Sequence, residues 1–197
     1  MNLQKLFELQ RQLDEHIEQQ HPRQPGEDRL AKKILALQVE IGELANEWRG
    51  FKFWSNDQKP RREKIHYSVT WIPLRKTDPL LEEYVDALHF ILSIGMEYSY
   101  RYGEWLPINL GLSSELIPIE YEHITKQFNY MFQQIGYFYD CVADCEIACN
   151  SETEEQYEQL FRMFIGLGNM LGFTWEEIEE AYMQKNEVNH QRQANEY

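Results

Sequence analysis

The chain has 197 residues, 43% of them hydrophobic and 14% aromatic, with a formal net charge of −14. That length and apolar content suit one domain with a real core and exclude a disordered chain. The acidity makes nucleic acid polymers poor partners, because such a surface repels phosphate backbones. No run of about 18 apolar residues offers a membrane span.

The start, MNLQKLFELQRQLDEH, is charged and amphipathic with no apolar signal core, so a cytoplasmic location is expected. Helical periodicity dominates from there. A first helix is predicted over Asn2 to Gln20, with Leu3, Leu6, Leu9, Leu13 and Ile17 as its stripe, and HPRQPGED breaks it. A second runs from Asp28 to Arg49, with Ile34, Leu37, Ile41, Leu44 and Trp48 on one side and Gly50 as its stop. The connection FKFWSNDQKPRREKIHYSVTWIPLRKTDP is long, basic and aromatic, and IHYSVTWI within it suits a short strand pair.

A third helix is predicted over Pro79 to Tyr102, then an irregular YGEWLPINLGLSSELIP, then a fourth helix over Ile119 to Asn150. A fifth spans Glu152 to Leu171, capped by Ser151 with Glu154 three residues on. In GFTWEE, Thr174 caps a sixth helix and Glu177 completes a capping box. No internal repeat appears. The expected architecture is one all-α domain over residues 1–197, a bundle of about six helices with a long irregular connection between helices two and three.

The second helix carries Glu40, Glu43 and Glu47 at spacings of three and four. At about 100° per residue they form one acidic strip beside the Leu37–Ile41–Leu44–Trp48 stripe. A lone glutamate strip is ordinarily a solvated face. The third helix changes that reading. Its stripe of Leu81, Val85, Leu88 and Leu92 faces a core, and Phe90, Ile91 and Ile94 cover the other side, so the helix is apolar nearly all round. Glu83 and Asp86 sit on it, and buried carboxylates are costly unless something neutralises them. ExxE on one helix facing ExxD on the next makes an oxygen-only donor set of Glu40, Glu43, Glu83 and Asp86, suited to Mg²⁺ or Mn²⁺. Asp86-Ala-Leu-His89 supplies only half of a di-iron carboxylate pattern, so His89 is read as a core or supporting residue.

Toward the C-terminus, Lys185, Asn189 and Arg192 stack along one helix face, a cation, an amide and a guanidinium able to hold successive phosphate oxygens. Cys141, Cys145 and Cys149 recur every four residues, without a CxxC, and read as small buried thiols on a helix seam. The aromatic FNYMFQQIGYFYDCVADC on the fourth helix suits either a dimer seam or an internal core.

The ExxE and ExxD pairs, ALHFIL after the second pair, and the terminal KNEVNHQRQ together resemble the dimeric, all-α dUTPases, within the all-α (MazG-like) nucleotide pyrophosphatases. The acidic pairs are shared by that whole superfamily. The run Lys185, Asn186, Asn189, Arg192 and Gln193 points to the dUTPase branch. LQRQLD (Leu9 to Asp14) resembles the family's base-recognition helix, and FKFW its Lys-aromatic-Trp segment near the base. Asp14, where the family often carries Asn, and Glu196, where it carries Gly, depart from the pattern.

The resemblance implies hydrolysis of dUTP, and of dUDP, to dUMP with Mg²⁺ held by Glu40, Glu43, Glu83 and Asp86. It assigns Glu43 to the attacking water, Lys185, Asn189 and Arg192 to phosphates, and Gln10, Asp14, Lys52 and Trp54 to base and sugar. Gln10 is expected to present both a donor and an acceptor to uracil, and the chain to form a homodimer. The competing readings are a sibling pyrophosphatase acting on dCTP or another nucleotide, and a non-catalytic helical interaction protein.

Overall fold

The computed structural model describes residues 2–102, 116–143 and 151–195. Its elements are α1 (Leu3–Gln20), α2 (Arg29–Trp48), β1 (Lys64–Tyr67), β2 (Pro73–Thr77), α3 (Pro79–Tyr102), α4 (Ile124–Ala143), α5 (Ser151–Leu171) and α6 (Trp175–Ala194). With one small hairpin among six helices over the described residues, the fold is all-α.

Local chemistry sets most boundaries. The side chains of Asn2 and Asp28 accept from the backbone N–H groups of Lys5 and Ala31, capping α1 and α2. Thr174 and Glu177 form the reciprocal box at the start of α6. The end of α2 departs from expectation. Arg49, not Gly50, takes the left-handed conformation, at φ 65°. Its guanidinium donates to the Asp57 carbonyl at 2.7 Å, which offsets the cost of that conformation in a non-glycine residue. Gly50 serves a different purpose: a Cβ there would lie 2.3 Å from the Trp48 indole.

Helix α4 begins at Ile124, five residues later than the pattern implies. Tertiary hydrogen bonds hold the preceding strand of chain extended against α5. Ile119 N–H donates to the Arg162 carbonyl at 3.0 Å. The buried Gln127 amide donates to the carbonyls of Ile119 and Met163 and accepts from Tyr121 N–H. The expected end at Asn150, the irregular stretch before Leu116, and Cys145 and Cys149 lie outside the described residues, as does Glu196. Cys141 is half-buried. The strand pair exists, but β2 starts at Pro73, downstream of IHYSVTWI, and pairs Lys64 with Thr77 and His66 with Arg75.

Helix α3 is the axis of the bundle, packed by α1, α2, α5 and α6. Leu80, Val85, Leu88, Ile91, Leu92 and Ile94 are buried along it, so burial nearly all round is what its composition implies. Tyr84 and Tyr157 bury their rings and donate to the carbonyls of Phe164 and Ile91, leaving no orphan hydroxyl there. On α4, Phe128, Met131, Ile135, Phe138 and Val142 enter the core, whereas Tyr130, Phe132, Tyr137 and Tyr139 remain partly exposed. The aromatic segment therefore serves an internal core along its middle and presents rings to the outside on both flanks, Tyr130 and Tyr137 on one and Phe132 and Tyr139 on the other. Among the described residues no helix is long and apolar enough to cross a membrane.

Candidate functional site

The packing of α2 against α3 brings Glu40, Glu43 and Glu83 together, with one oxygen of each within 4.8 Å of the others. Burial, then Asp86 and Glu43, push the Glu40 carboxyl up to about 7; burial, then Asp86, Glu43 and Glu40, push Glu83 equally to about 7. Three hard oxygen donors crowded into a partly buried space fit Mg²⁺ or Mn²⁺, whose charge would relieve the mutual repulsion. Asp86 stands beside the cluster rather than in it. Its Oδ2 accepts from Lys185 Nζ at 2.5 Å. Burial raises the Asp86 pKa and Lys185 opposes that rise.

Glu47 does not join its neighbours on the strip. Arg61 Nη1 donates to its Oε1 at 3.0 Å, and the Arg61 N–H donates to its backbone carbonyl. This glutamate pins the connection after α2, so the acidic strip divides between two tasks.

A cleft of about 1030 Å³ opens beside the carboxylates. Glu40 and Asp86 lie at one end, and His89, Phe90 and Ser93 of α3 follow along its floor to Glu97. Gln10, Leu13, Asp14 and Ile17 of α1 form one wall. Lys185, Asn189 and Arg192 of α6 line it near Asp86, as their shared face predicts. Asn186 turns away and is buried.

A directional chain of hydrogen bonds supports the cleft. Gln10 Nε2 donates to Asp14 Oδ1 at 2.8 Å, the one orientation of the amide that pairs a donor with that oxygen. The Gln10 carbonyl then faces inward and accepts from Tyr182 Oη and His89 Nδ1, both at 2.7 Å. This assigns the proton of His89 to Nδ1 and leaves Nε2, buried and without a hydrogen-bond partner, as an acceptor. Burial, with Lys185 nearby, pushes His89 down to about 3, so the ring is neutral. Gln10 is 3% exposed with its carbonyl committed. The structure thus leaves it one free N–H rather than the donor and acceptor pair expected from the sequence.

Asp14 Oδ2 accepts from Ser93 Oγ at 2.5 Å and Lys33 Nζ at 3.0 Å. Lys33 also reaches Glu97, whose two oxygens accept the Arg23 guanidinium at 2.6 and 2.8 Å. Burial would raise Glu97, but Arg23 and Lys33 outweigh it and hold the group below its ordinary value. Tyr182, Ser93, Lys33, Arg23 and Glu97 escaped the sequence reading. The spacing of His89, Ser93 and Glu97, one turn apart along α3, was the available signal.

Lys52 and Trp54 sit on the turn after α2 and do not line the cleft. Lys52 donates to Asn46, and Trp54 meets Phe51 and Phe53 edge to face at 5.7 and 5.0 Å.

The family model described as dUTPase matches residues 2–70 and 71–197. The chain belongs to the dimeric all-α dUTPase family. No curated protein matches it. Membership in the dUTPase family places the chain among hydrolases that act on nucleotides, and the two matched segments span both the α1–α2 wall and the α3–α6 wall of the cleft.

Proposed function

We propose that this dUTPase-family chain is a Mg²⁺-dependent dUTP diphosphatase that converts dUTP and water to dUMP and pyrophosphate, accepts dUDP with release of phosphate, and works as a cytoplasmic homodimer. The observation that carries the reading is the convergence of Glu40, Glu43 and Glu83 beside a cleft walled by Lys185, Asn189 and Arg192. A bound divalent cation supplies charge neutralisation of the triphosphate and acidifies water. Mn²⁺ fits the same oxygen donors.

Glu40, Glu43 and Glu83 would hold the cation with Asp86 as a further oxygen donor beside them, and Lys185, which Asp86 now accepts from, would bind a phosphate oxygen. Glu43 is the most exposed of the three and borders solvent, which suits it to orient the attacking water and take its proton. Lys185 and Arg192 place positive charge where negative charge moves to the leaving group, and Asn189 between them adds an amide donor. The remaining Gln10 N–H and the Asp14 carboxylate offer one donor and one acceptor to the base. Phe90 covers the floor between base and phosphates.

Pyrophosphate release from each of the four dNTPs and dUTP, with and without Mg²⁺, tests the reading. Release confined to dUTP and dependent on Mg²⁺ supports it. A preference for dCTP, or equal rates on all bases, would overturn the uracil assignment in favour of a sibling pyrophosphatase. No release from any nucleotide would leave a binding protein.

A further inference from the structure

The β1–β2 hairpin has no counterpart in the mechanism, and its chemistry is unlike the rest of the chain. Residues 64–77 carry Lys64, Arg75 and Lys76 and no Asp or Glu, a net +3 within a chain of −14. Neither strand buries a side chain; only His66 and Thr77 are half-covered, by one another. Val69 is 100% exposed, Trp71 80%, Leu74 67% and Ile72 61%. A two-stranded hairpin with both edges open and an apolar tip is marginal in water.

The tip is nevertheless organised. Ser68 Oγ accepts from the N–H groups of Thr70 and Ile72, and Ser68 N–H donates to the Ile72 carbonyl. Trp71 is held at φ 59°, a left-handed conformation that costs a bulky residue about 1–2 kcal/mol. Strain of this kind clusters at ligand clamps and switch regions.

Charge selects the occupant of such a tip. Phosphate surfaces would meet the acidic remainder of the chain as well as the basic hairpin, so nucleic acid and anionic lipid are disfavoured. A second copy offers the complement. Helices α4 and α5 carry five Asp or Glu against two Lys or Arg, and four of the five, Glu152, Glu154, Glu155 and Glu158, gather in the first two turns of α5. Tyr130 and Tyr137, seven residues apart on one flank of α4, are partly exposed, and Tyr137 Oη donates to Glu152 of α5 at 3.1 Å. Aromatic rings set among carboxylates match an apolar tip set among cations.

We propose that residues 64–77 form an arm that docks on the acidic, aromatic face of α4 and α5 in a second copy of this chain. Two copies related by a twofold axis would exchange arms reciprocally. The arm belongs to this chain's own assembly and does not rest on the identity of the nucleotide.

The test replaces Trp71 with the photo-crosslinking residue p-benzoylphenylalanine in the full chain and irradiates an equal mixture of isotopically light and heavy protein. The expected result is light–heavy crosslinks joining the hairpin to residues 124–143 or 151–171. Crosslinks within one copy only, to any other surface, or to none, would overturn the proposal. A second variant, Lys64→Glu with Arg75→Glu and Lys76→Glu, should cut the light–heavy yield at least tenfold at low salt, as 1 M NaCl should in the parent, with the melting temperature unchanged. A yield indifferent to salt and to charge reversal would overturn the charge-guided docking. Neither readout uses hydrolysis, so the outcome is independent of the proposed activity.

Discussion

Glu83→Gln should stabilise the protein in the absence of divalent metal. In the folded chain, burial and then Asp86, Glu43 and Glu40 push the Glu83 carboxyl to about 7, from an ordinary 4.5. The folded state therefore holds a proton that the unfolded chain releases, and the stability of the metal-free protein falls as pH rises from about 4.5 through about 7. The full shift corresponds to about 3 kcal/mol, and solvent screening of this half-buried group reduces it to about 1–2 kcal/mol. Glutamine keeps the shape and removes the charge. For a chain of this size that amounts to a melting temperature about 2–8 °C higher at pH 8 in EDTA. At pH 5 most of the gain should disappear, because the native carboxyl is still protonated and only the unfolded one has begun to ionise. Mg²⁺ should reverse the order at pH 8, raising the parent's melting temperature and leaving the variant's unchanged. Differential scanning calorimetry at the two pH values reads all three effects. A variant that melts at or below the parent at pH 8 in EDTA would refute the argument that these carboxylates repel one another.

Three further outcomes follow from particular contacts. Lys185→Met should lower kcat/KM for dUTP by about 10²- to 10³-fold, measured by pyrophosphate release, since it deletes the cation proposed to bind phosphate. Arg23→Ala strips the two-point contact from the buried Glu97 and should cost about 2–3 kcal/mol at pH 7 in urea unfolding. Because Glu97 is held below its ordinary value, that difference should close as pH falls below about 4. Gly168→Ala places a Cβ 2.4 Å from the Tyr84 hydroxyl and should cost about 1–3 kcal/mol, with Tyr84→Phe in the same chain recovering part of it.

The helices were legible because their apolar residues recur at a period of 3.6 and their caps are written locally, as at Asp28 and Thr174. The buried character of α3 followed from composition alone. What failed was decided by contacts distant in sequence. Helix α4 starts late because Gln127 and Ile119 bond to α5, and α2 stops at Arg49 because a carbonyl eight residues on, Asp57, receives its guanidinium.

The candidate site divides the same way. Spacing predicted that Glu40 and Glu43 share a face and that Lys185, Asn189 and Arg192 share another. It could not say that Glu47 would leave for Arg61, nor that Asp86 would be held by Lys185, because each partner comes from another element. The Gln10 amide shows the limit most clearly. Sequence shows what an amide can offer, but Asp14, Tyr182 and His89 decide what it still has free.

The central claim is that Glu40, Glu43 and Glu83 share a divalent cation. Mn²⁺ titration followed by electron paramagnetic resonance tests it without substrate, by loss of the free-ion signal. The parent chain should sequester Mn²⁺, and Glu40→Gln, Glu43→Gln and Glu83→Gln should each weaken binding at least tenfold while remaining folded. Equal sequestration by the parent and all three variants, or none by the parent, would contradict the account.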